Sequence, residues 1–167
     1  MTTGQLNKLN TKEATAEFSK CCGSTVWVNK MIDSRPFADR QQLCEIAEKK
    51  WLECSEKDWL EAFTHHPKIG DLKSLEKKFS ATKEWAGGEQ AGVNRAAGAT
   101  LIKLADGNND YEKKFGFIFI VCATGKSADE MLALLKTRLS NDRNTELKIA
   151  MREQNKITRL RLGKLLL

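Results

Sequence analysis

Only one stretch of this 167-residue chain reads as a β-strand, and a sheet cannot be built from one strand. Phe117-Ile118-Phe119-Ile120-Val121-Cys122 is a continuous apolar run rich in aromatic and β-branched residues, the composition of a buried strand. No second run offers it a partner. Buried backbone N–H and C=O groups must nonetheless be satisfied, so the run is expected as an extended core segment whose polar backbone is available to a ligand. The rest of the chain then has to be helical. The expectation is an all-α fold: one domain over residues 1–167, a bundle of about seven to nine helices with one short extended segment.

Helical punctuation supports this from end to end. Asn10 with Glu13 forms a capping box, Ala14, Phe18, Cys21 and Cys22 follow at helical spacing, and Gly23 is expected as a left-handed stop. Val26, Trp27, Val28 and Met31 make a short apolar segment that ends before Arg35-Pro36. From Asp39, Leu43, Ile46, Ala47 and Trp51 recur on one face, and Ser55 with Asp58 caps a further helix that must stop by Pro67. Residues 72–83 are charged and only weakly periodic. Glu89-Gln90 opens a small-residue helix reaching about Ala105, and Asp106-Gly107-Asn108-Asn109-Asp110 is a turn by composition, with Tyr111 to Phe115 one helical turn beyond it. Ser127 caps a helix holding Met131, Leu132, Leu135 and Leu139. In the last helix, from about Thr145, Leu147, Ala150, Gln154, Ile157 and Arg161 fall along one side while Arg159 points nearly opposite. An arginine on an inward stripe requires an anionic or carbonyl partner, which makes Arg161 a site candidate.

The only two histidines are adjacent, in Thr64-His65-His66-Pro67-Lys68-Ile69-Gly70-Asp71. Histidine titrates near neutrality, so proton transfer has one obvious address. Pro67 and the Gly70-Asp71 turn would hold His66 rigidly just past a helix end, where backbone carbonyls are expected to favour its protonated form. Metal binding is disfavoured, because neighbouring histidines seldom reach one ion and no third ligand is suitably spaced. Glu89 and Gln90 form either an ordinary acidic first turn or a polar wall for an amide-rich or anionic ligand. Gly125-Lys126-Ser127 resembles the end of a phosphate loop, but Ile120 stands where the first glycine is needed. The five cysteines have no paired C-x-x-C spacing and read as buried thiols; Cys122 with His66 as a nucleophile pair has no third residue to orient it.

A net charge of +6 would attract nucleic acid or an anionic metabolite alike. The basic residues, however, lie in mixed-sign runs without an arm or aromatic interleaving, so no nucleic-acid partner is expected. No apolar run approaches membrane-spanning length and residues 1–20 lack a signal-peptide core. The chain ends Leu165-Leu166-Leu167 and not Ser-Lys-Leu, and a cytoplasmic location is expected.

Four blocks together carry a resemblance. His65-His66-Pro67-Lys68-Ile69-Gly70-Asp71, Glu89-Gln90-Ala91-Gly92, Lys114-Phe115-Gly116-Phe117 leading into Phe119-Ile120-Val121-Cys122-Ala123, and Lys156-Ile157 with Arg161-Leu162 resemble the 2-oxo-4-hydroxy-4-carboxy-5-ureidoimidazoline (OHCU) decarboxylases of urate breakdown. Order and spacing match over nearly the whole chain. The resemblance implies an all-α, cofactor-free homodimer that releases carbon dioxide from a ureidoimidazoline substrate and yields (S)-allantoin. It implies His66 as the catalytic acid with Pro67 beside it, substrate contacts from Ala86, Gly87, Gly88, Glu89 and Gln90, a largely backbone segment Phe119, Ile120, Val121, Cys122 and Ala123, and Arg161 as the carboxyl-terminal arginine. Glu89 is the expected partner of substrate hydroxyl or N–H groups and Arg161 the clamp on an anionic or carbonyl oxygen. Many members carry serine three residues before the glutamate, where this chain has Ala86. A non-catalytic helical module binding a small molecule or nucleic acid is the alternative reading.

Overall fold

A computed structural model describes residues 1–66 and 90–166, with side chains in the second span from residue 98 onward. The described residues form eight helices and no strand, so the all-α expectation holds. The residues cluster in two compact units, Met1–His66 with Met151–Leu167, and Pro67–Ala150.

The first unit contains α1 (Thr3–Lys8), α2 (Thr11–Cys21), α3 (Thr25–Asp33), α4 (Arg40–Leu52), α5 (Glu56–Thr64) and the last part of α8 (Arg143–Leu165). Its starts follow cap chemistry. Asn10 and Glu13 close their box at 2.9 and 3.2 Å, Asp39 accepts from the Gln42 N–H at 2.8 Å, and Ser55 pairs with Asp58. Each such cap is worth about 1 kcal/mol. Phe18 lies edge-on to both Trp27 and Phe37, at 6.0 and 6.2 Å between ring centres. Among the described residues the indole N–H groups are not stranded: buried Trp27 donates to the Ala47 carbonyl, buried Trp51 to Met151 and half-buried Trp59 to Trp51. Gly23 does not adopt the expected left-handed turn; among the described residues only Gly116 and Gly125 have positive φ. The chain instead leaves α2 through an extended Cys22.

The second unit contains α6 (Gln90–Phe115), α7 (Ala128–Leu139), the extended stretch between them and the first turns of α8. The turn expected at residues 106–110 does not form, and α6 runs through it. Asn108 turns its side-chain amide back onto the Leu104 carbonyl at 2.7 Å, and Gly107 leaves room for Leu135, whose Cδ2 would lie 2.7 Å from an added Cβ. Tertiary packing therefore overrides local composition. Gly116, at φ 79°, then stops the helix and releases the Phe117–Cys122 run as an extended core segment without strand partners.

Part of that run's polar backbone is satisfied by a buried ion pair. Arg138, 6% exposed, donates from Nη1 to the Ile120 carbonyl at 2.7 Å, packs over the Phe119 ring, and pairs with the fully buried Glu146. Glu146 also accepts from the Tyr111 hydroxyl and the Asn141 amide. Both oxygens of this carboxylate are therefore hydrogen-bonded, which is the condition for a buried charge.

Candidate active site

Helix α5 ends at Thr64, and its last carbonyls are occupied at once: the His65 N–H donates to Ala62 and the His66 N–H to Phe63, at 3.2 and 3.1 Å. The first unit carries two of the sequence candidates, His66 and Arg161. Half-buried His66 sets Nε2 2.5 Å from Gln154 Oε1, while Gln154 Nε2 donates to Thr158 Oγ1 at 3.1 Å. Gln154 is fully buried and Thr158 nearly so. Both sit on the inward stripe of α8, one helical turn apart, and Arg161 follows on that side.

Close packing at Gly23 holds the histidine pair. A Cβ there would meet His65 Cγ at 2.5 Å and Cβ at 2.6 Å, so only glycine lets the loop after α2 lie against His65. Arg161 reaches the same loop from α8, its Nη1 donating to the Cys21 and Lys20 carbonyls at 3.3 and 3.5 Å. These are carbonyls at the end of α2, where the helix dipole favours a cation. The carbonyl partner demanded by helical phase is therefore present, whereas Arg159 is exposed as that phase requires.

His66 departs from the expectation in its charge. Burial pushes its pKa below the usual histidine range; the Gln154 hydrogen bond opposes the shift, and the charges of Arg161 and His65 add to it. The helix-end carbonyls expected to favour imidazolium already accept backbone amides, and desolvation prevails. At rest His66 is a neutral imidazole near pH 7. Burial likewise raises the Cys21 thiol to about 11 and that of Cys22 to about 12, and neither is suited to nucleophilic work near neutrality.

Phe119, Ile120 and Val121 are buried in the second unit and Cys122 and Ala123 half-buried, with the Ile120 carbonyl taken by Arg138. Pro67, Ala86, Gly87, Gly88 and Glu89 lie outside the described residues; Gln90 begins α6, with its side chain outside them. Residues missed from sequence are Gln154 as partner of His66, and Arg138 with Glu146. A separate groove of about 520 Å³ in the first unit is lined by Arg40, Cys44, Glu45, Glu48 and Arg159, a mixed-charge surface without a histidine. Among the described residues no group of three or more His, Cys, Asp or Glu side chains is arranged to hold a metal ion, and no helix is long and apolar enough to cross a membrane.

Known proteins bear on this arrangement. A bifunctional uric acid degradation protein of Arabidopsis thaliana is 37% identical over 89% of this chain, which spans only 46% of that protein. An OHCU decarboxylase of Amia calva is 30% identical, covering 95% of this chain and 90% of its own length. A crystal structure of an OHCU decarboxylase in the presence of (S)-allantoin superimposes with a TM-score of 0.73 at 40% identity, covering 90% of this chain and 96% of that one. With the OHCU decarboxylase family model matching residues 7–163, the chain belongs to the OHCU decarboxylase family.

Proposed function

We propose that this protein decarboxylates 2-oxo-4-hydroxy-4-carboxy-5-ureidoimidazoline to (S)-allantoin in urate breakdown. The observation that carries the reading is the family match along residues 7–163. The half-buried His66, beside Gln154 and within reach of the Arg161 charge, gives it chemical content.

The substrate's carboxylate sits on a carbon next to an imine, so the electron pair left by carbon dioxide delocalises into the ring. It brings its own electron sink, and the reaction needs no pyridoxal, thiamine or metal. The protein's share is to hold the ring, keep the carboxylate poorly solvated, stabilise charge moving into the ring, and protonate one face. We assign protonation to His66, stabilisation of an anionic or carbonyl oxygen to Arg161, and contact with substrate hydroxyl or N–H groups to Glu89. Pro67, Ala86, Gly87, Gly88 and Gln90 belong to the same binding set by family resemblance, as do backbone groups of Phe119 to Ala123 reading the ureido and ring amides. A cytoplasmic homodimer is part of this reading.

The test generates the substrate from urate with purified upstream enzymes and follows the chirality of the allantoin formed. Added protein is expected to accelerate allantoin formation and bias it to the S enantiomer. Racemic allantoin at the spontaneous rate would refute the proposal.

A further inference from the structure

The partners of His66 define which of its ring nitrogens carries the proton. Nε2 faces the Gln154 side-chain amide, which presents either its oxygen, an acceptor, or its NH₂, a donor. Thr158 decides between them. Its Oγ1 lies 3.1 Å from Gln154 Nε2, a nitrogen that can only donate. Thr158 Oγ1 must then accept from Gln154 Nε2, and this turns Gln154 Oε1 toward His66. A carbonyl oxygen has no proton to give, so His66 Nε2 is the donor. Gln154 and Thr158 are both buried, which keeps water from substituting for the link between them.

We infer that Gln154 is a positioning residue that locks His66 in its Nε2–H tautomer and leaves Nδ1 as the atom exchanging protons with the substrate. This rests on the reading of His66 as the proton donor. The proton balance follows from it. The bond to the carboxylate carbon breaks and its electron pair enters the ring; His66, neutral until then, takes a proton from solvent at Nδ1 and passes it to that carbon. Carbon dioxide leaves, and the imidazole returns to neutral with Nε2–H still bonded to Gln154. The resting tautomer is thus the state left by each turnover, and the ring need neither flip nor tautomerise between cycles. Had Nδ1–H been the neutral form, each donation from Nδ1 would leave the proton on the wrong nitrogen.

The experiment is two-bond ¹⁵N–¹H correlation on protein labelled in its histidines. There are only two, and a His65→Gln variant assigns them. The wild-type spectrum is expected to show His66 as the Nε2–H tautomer at pH 8. Gln154→Leu should give mixed tautomers and lower kcat about 10- to 100-fold with KM within about threefold, the range of a misaligned general acid. Gln154→Glu keeps an acceptor at the same place, so it should keep the Nε2–H tautomer and recover most of kcat. Its added carboxylate, facing His66 together with Arg161 and His65, should move the titration of His66 to higher pH. An Nδ1–H tautomer in the wild type, or Nε2–H and full kcat retained in Gln154→Leu, overturns the inference. The spectrum does not depend on turnover, so an inactive wild-type protein with the expected tautomer would sink the proposed reaction and leave the tautomer assignment standing.

Discussion

Two arginines two residues apart on α8 separate the His66 neighbourhood from the mixed-charge groove. Arg161 touches the end of α2 and its charge acts on His66; Arg159 is exposed and lines the groove with Arg40, Glu45 and Glu48. Replacing Arg161 by alanine removes two long carbonyl contacts, at 3.3 and 3.5 Å, and a favourable helix-end charge. That should cost about 0.5–1 kcal/mol of stability, or roughly 1–4 °C of Tm. The protein will fold. For catalysis the loss is a desolvated charge partner, commonly about 2–5 kcal/mol when truncated. At about 1.36 kcal/mol per decade, the lower bound is roughly 30-fold in kcat/KM. Removing the cation also lets the pKa of His66 rise, so the comparison belongs on the plateau of each pH profile, and the descending limb should move to higher pH in the variant. Arg159→Ala should stay within about threefold of wild type. The assay is allantoin formation from freshly generated substrate, with its enantiomeric ratio. A crippled Arg159 variant beside a normal Arg161 variant would refute the helix phase and the site together.

His66→Ala should damage turnover at least as much as Arg161→Ala and should lose control of product chirality, read in the same assay. Because the pKa of His66 is lowered on folding, the unfolded chain binds more protons between the folded value and 6.5. Its contribution to stability is therefore complete above pH 6.5 and lost as pH falls through the folded pKa; urea midpoints of wild type minus His66→Gln should show this slope, and a flat difference would contradict the shift. Gly23→Ala sets a Cβ 2.5 Å from the His65 ring and should cost about 1–3 kcal/mol, with a fall in kcat as the histidine pair is displaced. Glu146→Ala strands the buried Arg138 and should cost about 3–5 kcal/mol, seen as a drop in the urea midpoint; a change below about 1 kcal/mol would show that the pair is not desolvated.

What the sequence disclosed was whatever local chemistry decides. The caps at Asn10, Ser55 and Ser127 are short-range hydrogen bonds between residues three apart, and they form as read; Asp39, expected only as the start of its helix, caps it in the same way. The Thr2–Gln5 box that starts α1 carries the same signal at the same spacing, although the expected helices begin only at Asn10. The helix through residues 106–110 departs from the expected turn because five turn-forming residues say nothing of Leu135, 28 positions beyond Gly107, which needs the space a glycine leaves. Arg138 stands three residues after the buried Leu135, and Glu146 one before Leu147, so their phase was visible. Their charges argued for solvent, and only the lone extended segment, with its carbonyl to satisfy, explains burying them together. The link from His66 to Gln154 crosses 88 residues and left no local trace.

The charge state of the site follows from what decarboxylation asks of it. An imidazolium at rest would pair with the incoming carboxylate, stabilise the ground state, and oppose the loss of carbon dioxide, because only interactions stronger in the transition state speed the step. Burial and the neighbouring guanidinium keep His66 neutral instead. Arg161 is then the standing cation, whose best use is on the oxygen that gains charge as electrons enter the ring. The same depressed pKa makes the proton, once taken up at Nδ1, easier to give away to carbon. One cation serves the developing charge and one neutral ring serves the proton, and the adjacency of Arg161 to His66 keeps those roles from collapsing into one.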